Sequence, residues 1–253
     1  MSKRNTQLRR HAISTLVNTK REVSVEELSL KFETSEVTIR KDLSSLEQNG
    51  QLLRRYGGAI ALPSEVVNEV LDGKVSVRKV ELSLAAAKLI RDHNRIVIDS
   101  GSTTAALIQQ LNDKRGLVVM TNSLNVANAL NELESEPHLL MTGGTWDAHS
   151  ESFQGQVAET VLRSYDFDQL FIGADGVDIE RGTTTFNELV GLSKVMAEVS
   201  REVIVMVESE KIGRKIPNLE LNWDVIDVLI TNSDLSAQYQ KKIESYGVRV
   251  ILA

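Results

Sequence analysis

The sequence predicts an α/β chain in two parts: a small three-helix domain closed by a hairpin, then a larger, Rossmann-like α/β layered domain. Three observations lead there. Apolar residues recur at helical spacing through the first 50 residues and give way to a basic, glycine-containing segment, Arg54 to Gly58. Beyond it, seven short apolar runs alternate with helical patterns, as in a parallel sheet covered on both faces. The charge is divided in the same place: residues 1–60 hold 11 Lys and Arg against 7 Asp and Glu, and the remainder hold 18 against 28. A basic small domain beside an acidic large one suits a polyanion held at the N-terminal end and a different ligand handled at the other.

Composition narrows the classes. At 253 residues, with 42% hydrophobic and 25% charged residues, the chain has ordinary globular composition rather than that of a fibrous or disordered protein. The absence of cysteine excludes a disulfide framework, a thiolate nucleophile and Cys-based zinc or iron–sulfur sites. No apolar run approaches the roughly 20 residues of a membrane span, and the basic start has no apolar core of a signal peptide. A cytoplasmic protein with no membrane partner is expected.

In chain order, Leu8, Ala12, Ile13, Leu16 and Val17 form the apolar stripe of a first helix over 6–19, with Arg9, Arg10 and Lys20 on or near the opposite face. Ser24 to Glu27 reads as a capping box that opens a second helix running to Phe32. Ser35 caps a third helix, in which Ile39, Leu43 and Leu46 follow an i, i+4, i+7 rhythm together with Val37, and Asn49-Gly50 ends it. Gln51 to Ile60 then suits a short hairpin with a tight tip.

Three helices and a basic hairpin compose a winged helix-turn-helix. The third helix fits the DNA major groove, with Ser35 and Thr38 toward a phosphate and Arg40 and Lys41 reaching phosphates or guanine edges. Arg54 and Arg55 flank the wing, and Gly57 and Gly58 let the backbone approach the duplex. The stretch VSVEELSLKFETSEVTIRKDLSSLEQNGQLLRRYGGAI, Val23 to Ile60, resembles the DNA-binding domain of the DeoR family of bacterial transcriptional regulators. Thr38, Ile39, Arg40, Asp42, Leu43, Leu46, Glu47, Gly50, Arg55, Gly57, Gly58 and Ala59 match that pattern. Asp42 is read as structural, because a carboxylate repels phosphates and better serves to orient a neighbouring arginine.

This first domain is expected to span 1–61 and a linker 62–77, leaving 78–253 for the second. Its strands are expected at 95–99, 117–120, 138–141, 170–172, 203–207, 227–230 and 248–252. Small polar residues follow most of them: Ser100, Gly101, Ser102, Thr103 and Thr104; Thr121, Asn122 and Ser123; Thr142, Gly143, Gly144 and Thr145; Gly173 to Gly176; Glu208 to Lys211; Thr231 to Asp234. Open α/β sheets bind ligands at this carboxyl edge, and hydroxyls, amides and free helix N-termini there suit a phosphorylated or polyhydroxylated small molecule. Ser123 and Ser233 are read as helix caps.

The motifs DSGSTT from Asp99, MTNS from Met120, TGG from Thr142, FIGADGVD from Phe171 and GTTTFNE from Gly182 are similar to the sensor domain of the same family, so the resemblance covers nearly the whole chain. It implies a fold like ribose-5-phosphate isomerase and CoA transferases, and a phosphorylated sugar or sugar alcohol as effector. By position, Ser100 to Thr104 hold the phosphate, with Thr121, Asn122, Gly143, Gly144, Asp175, Thr183, Thr184, Thr185, Glu188 and Lys211 around the rest. Glu210 departs from the Ser-Lys pair common in the family, and is read as able to neutralise Lys211 or alter the ligand that fits.

The competing reading is a sugar-phosphate isomerase-like enzyme with an appended nucleic-acid-binding domain, since Asp175, Asp178 and Glu188 offer carboxylate bases. The 178–185 loop, however, lacks the lysine-and-glycine phosphate clamp of the isomerases. The four histidines have no metal-ligand spacing, and His149 is read as a surface loop residue. No catalytic set, metal or cofactor is expected. The sequence reads as a DNA-binding regulator, a repressor by preference, with double-stranded operator DNA and a phosphorylated effector as partners. Two half-sites require at least a homodimer, and the family resemblance extends this to a tetramer.

Overall fold

The computed structural model describes residues 3–20, 22–48, 52–55, 57–61, 76–147, 150–187, 190–214 and 216–253. It divides into two compact units, Met1–Lys74 and Val75–Ala253.

The first unit runs α1 (Lys3–Lys20), β1 (Glu22–Ser24), α2 (Val25–Lys31), α3 (Glu36–Gln48), β2 (Leu53–Arg55) and β3 (Gly58–Ile60). Ile13 and Val17 of α1, Leu28 of α2, and Ile39, Leu43 and Leu46 of α3 pack with Val23, Leu52 and Ala59 into one core. Two expected core positions fall outside it: Ala12 is exposed and Val37 is 59% exposed, because each lies a step off the buried stripe. Ser24 caps α2 by accepting the Glu27 N–H at 3.0 Å. The carboxylate of Glu27 pairs with Lys20 rather than closing the box.

Strands β1, β3 and β2 form an antiparallel sheet in that order, so the wing is anchored to the segment between α1 and α2. Gly57 takes φ +81° at the hairpin tip, a conformation that glycine adopts without strain. Gly58 is buried, and a Cβ there would lie 2.4 Å from the Val23 carbonyl oxygen. Packing against β1 therefore demands this glycine, independently of any approach to DNA.

The second unit opens with α4 (Val77–Ala87), whose cap Ser76 accepts the Lys79 N–H at 3.3 Å. Of the expected linker, 62–75 lies outside the described residues, and Val77 already belongs to this helix. Seven parallel strands follow: β4 (Arg95–Ile98), β5 (Val118–Thr121), β6 (His138–Met141), then, after the hairpin β7 (Thr145–Asp147) and β8 (Ser152–Gln154), β9 (Phe167–Ile172), β12 (Ser200–Met206), β14 (Val228–Thr231) and β15 (Arg249–Leu252). Each apolar run expected from the sequence is one of these strands. Their order is β15-β14-β12-β9-β4-β5-β6, with both faces covered. Ile96, Ile98, Phe171, Ile204 and Ile230 enter one core, and their neighbours Val97, Leu170, Ile172, Val205 and Leu229 enter the other. A strand buried on both faces reads as a continuous apolar run, which is why these strands were visible.

This order fixes the place of a site. The chain starts at β4, winds outward through β5 and β6, and returns to the other side of β4 as β9, so the winding direction reverses between β4 and β9. A crevice opens at the carboxyl ends of strands at such a reversal. The loop after β4 is Asp99 to Gly101, leading into α5 (Ser102–Ala105), and the loop after β9 is Gly173 to Asp175. A smaller antiparallel sheet, β10 (Gly176–Asp178), β11 (Gly182–Thr185) and β13 (Asn218–Asn222), continues from the second loop.

Candidate functional sites

In the first unit, Ser35 begins α3: its Oγ accepts the Thr38 N–H at 3.2 Å and lies 2.9 Å from Thr38 Oγ1. Arg40, Lys41, Arg54, Arg55 and Gly57 are exposed, whereas Gly58 is not. Three of the four cations have carboxylate partners within the unit. Arg40 Nη2 meets Glu36 at 2.6 Å, Arg54 Nη1 meets Glu47 at 3.6 Å and Arg55 Nη1 meets Glu22 at 2.9 Å. Exposed pairs of this kind contribute about 0.2 to 1 kcal/mol, so separating these cations from their carboxylates costs little.

The carboxylate of Asp42 faces the other way. It is 2% exposed and accepts Arg9 Nε at 2.6 Å and Arg10 Nε at 2.8 Å, while Arg10 Nη1 also donates to Ser45 Oγ at 2.6 Å. Asp42 therefore binds α1 to α3. Its arginines come from α1, and Arg9 and Arg10 turn inward toward it instead of lining the opposite, solvent face expected for them.

In the second unit the loop after β4 is held from below. Thr104 is fully buried, with Oγ1 donating to the Asp99 and Gly101 carbonyls at 2.8 and 2.9 Å. That hydroxyl closes the turn and is committed there. Asn122 is also fully buried: its Oδ1 accepts the Ser100 N–H at 3.1 Å and its Nδ2 donates to Asp99 at 2.9 Å. Thr121 accepts the Ser123 N–H, and Ser123 caps α6 (Leu124–Asn131) as expected. Gly101 stands at φ +134°, and Gly101 and Ser102 are exposed at the edge, while Thr103 is 6% exposed. α5 has only four residues, so the dipole at its start is slight, and an anion here depends on side-chain charge.

That charge comes from two lysines. Lys211, half-buried in a short turn (Ser209–Lys211), donates to the Ala174 carbonyl at 3.4 Å. Lys79, in the first turn of α4, is 2% exposed, and its Nζ donates to Ser102 Oγ at 2.8 Å. Burial holds its ammonium down at about 8, with Glu208 raising it and Lys211 lowering it further. Lys79 was missed in the sequence, because it sits in a helix 20 residues before the loop it touches. The one available signal was a lysine on the side of that helix that carries Leu82 and Ala86.

Three carboxyls converge nearby. Burial pushes Asp99 up to about 6 against hydrogen bonds from Ser100 and Asn122, and Asp175 raises it further. Glu220, on β13, is pushed up to about 8 by burial, with Asp99 and Asp175 adding to the shift while Ser193 and Thr183 hydrogen bonds oppose it. Asp175 accepts Thr185 Oγ1 at 2.8 Å and the Phe186 N–H at 3.1 Å. Thr183 accepts the Leu221 N–H at 3.1 Å, tying β11 to β13, and Thr184 is buried with Oγ1 unpartnered. Gly144 packs against β8, where a Cβ would lie 2.6 Å from the Gln154 carbonyl, while Gly143 has open space around it. Asp178, one of the three possible bases, is spent on its own turn, accepting the Glu180 N–H and Arg181 Nε. Glu188 and His149 lie outside the described residues.

Two other readings are corrected. Glu210 forms an ion pair with Arg78 of α4, which also reaches Asp234 at 3.3 Å, so it does not neutralise Lys211. Ser236, not Ser233, caps the helix Ala237–Glu244. Among the described residues no cluster of His, Asp or Glu could hold a metal, and no helix is long and apolar enough to cross a membrane.

Comparison with known proteins agrees with this division. Residues 9–65 match the DeoR-like helix-turn-helix domain, and residues 75–233 match the DeoR C terminal sensor domain. A putative aga operon transcriptional repressor of Escherichia coli O157:H7 is 38% identical over 91% of this chain and 87% of its own length. The HTH-type transcriptional regulator GlpR of Haloferax volcanii is 32% identical over 96% of each. Among solved structures, ribose 5-phosphate isomerase A of Methanocaldococcus jannaschii superposes on 53% of the chain at a TM-score of 0.39 and 20% identity. A winged helix-turn-helix followed by a doubly wound sensor domain, each matching its DeoR family model and together matched over 91 to 96% of the chain by transcriptional regulators, makes this chain a member of the DeoR family of DNA-binding transcriptional regulators.

Proposed function

We propose that the chain is a repressor of a carbohydrate-utilisation operon, released from its operator when a phosphorylated sugar or sugar alcohol binds the second unit. The observation that carries this reading is the loop Ser100 to Thr103 at the reversal between β4 and β9, with two lysines beside it and carboxyls beyond. Cations at one side suit a phosphate, and carboxyls and amides at the other accept and donate to hydroxyls. The name of one relative, the putative aga operon transcriptional repressor, supports a role in operon control, and that of GlpR a role in transcriptional regulation. In this reading Ser100, Gly101, Ser102, Thr103 and Lys211 hold the phosphate. Asp175, Thr185 and Glu188 meet the rest, while Thr104, Thr121, Asn122 and Thr183 position the backbone around them.

On the first unit, Ser35, Thr38, Arg40, Lys41, Arg54 and Arg55 meet the duplex, and at least two copies of the chain bind two half-sites. Carboxylates around a sugar also serve an isomerase, but the commitment of Asp178 to its turn leaves the enzyme reading without that base. The test is operator binding by Arg40→Ala, measured against fragments selected from random sequence. A loss of about 1 to 3 kcal/mol confined to some base pairs shows base reading, and a uniform loss with a shallower salt dependence shows phosphate contact. Binding equal to the parent removes Arg40 from the interface.

A further inference from the structure

The start of α4 gathers three loops of the sheet edge. Arg78 is ion-paired with Glu210 in the turn after β12 and with Asp234 in the loop after β14. Its neighbour Lys79 reaches the loop after β4 through Ser102 Oγ at 2.8 Å, and is within electrostatic range of Glu208 and Lys211. The loop after β14 adds a second observation. Thr231 and Asn232 are 0% and 3% exposed, and Thr231 Oγ1 and Asn232 Nδ2 have no hydrogen-bond partner in the protein. The Asn232 carboxamide is fixed from its other end, since Oδ1 accepts the Ser209 N–H at 3.3 Å in the same turn that carries Lys211.

Buried hydrogen-bonding atoms are normally satisfied, and an orphaned donor in a loop bonded to the turn that carries Lys211 fits an anion acceptor. A lysine enclosed to this degree is desolvated, so its charge acts through a low local dielectric and is stronger toward an anion than that of an exposed lysine. Ordinary helix surfaces do not place lysines inward.

We propose that Lys79 is a direct contact of the effector's anionic group, with Asn232 Nδ2 as the second donor, so that the anion sits between Ser102 and the 209–211 turn. This rests on the effector reading above and extends it to two residues from outside the serine–threonine loop. It also makes α4, the helix that the inter-domain segment enters, part of the binding site.

The test uses the full-length chain, with thermal shift and calorimetric titration of inorganic phosphate, glycerol 3-phosphate, glucose 6-phosphate, galactosamine 6-phosphate and sorbitol 6-phosphate. Each organic phosphate is paired with its unphosphorylated form. At least one phosphorylated compound is expected to bind the parent, and its affinity to fall at least tenfold in Lys79→Met and in Asn232→Ala, with cooperative melting of the unliganded variants retained. Methionine matches the length of the buried stem. If Lys79→Met does not melt cooperatively, Asn232→Ala decides on the same criterion. Binding within twofold of the parent in the folded variants overturns the assignment and leaves the effector reading standing. A parent that binds none of the compounds overturns both.

Discussion

Glu220 shows how one residue can tie stability to pH at the sensor edge. A carboxyl whose folded pKa is raised keeps a proton that the unfolded chain has released, so its contribution favours folding at and below its ordinary value near 4.5. That contribution declines as pH rises to about 8. Glu220→Gln removes this titration. Its melting temperature is therefore expected to exceed the parent's by a margin that grows between pH 5 and pH 8, by about 2 °C or more in scanning fluorimetry of the full chain. A constant margin contradicts the raised value. At this scale much of the local chemistry was legible in the sequence: Ser24, Ser35 and Ser123 cap the helices expected of them, because a cap needs only its own side chain and an amide three residues on. Lys79 was not legible, nor was the pairing of Glu210 with Arg78, since the contacts span 23 and 132 residues and depend on which loops the sheet brings together.

At the scale of elements, α3 is set by α1. The paired contacts of Arg9 and Arg10 with Asp42 lie on the side of α3 away from its exposed cations, and fix how the helix presents Arg40 and Lys41. Removing one partner from an enclosed pair leaves buried charge unmatched, at about 3 to 5 kcal/mol for full burial. With Arg9 12% and Arg10 33% exposed, Asp42→Asn is expected to cost about 2 to 3 kcal/mol, read as a lower denaturation midpoint of the first unit within the full chain. A change under about 0.5 kcal/mol contradicts the role. The sequence showed that Asp42 pairs with arginine but not which one: helical periodicity assigns faces, and α1 crosses α3 at an angle that periodicity does not contain. The seven sheet strands were legible for the opposite reason, each being an uninterrupted apolar run. Short polar strands such as β10 and β11, with Gly-Val-Asp and Gly-Thr-Thr-Thr, were read only as loop motifs, because nothing in their pattern alternates.

On the scale of the molecule, regulation requires that an effector bind one state of the protein better than another, since equal affinity shifts no equilibrium. A coupling of 1 to 3 kcal/mol, about 5- to 150-fold in affinity, is typical between sites. In the proposed reading this rests on a chemical asymmetry: the exposed cations of α3 and the wing suit a polyanion, and buried Lys79 with half-buried Lys211 at the sheet edge suits a small anion. Fluorescence anisotropy of the full-length chain on a selected operator fragment, titrated with each phosphorylated compound that raises its melting temperature, tests this coupling most directly. At least two protomers are expected per fragment, with affinity falling tenfold or more at saturating compound and unchanged by the unphosphorylated sugar. Operator affinity that is the same with the compound bound contradicts an effector-released repressor.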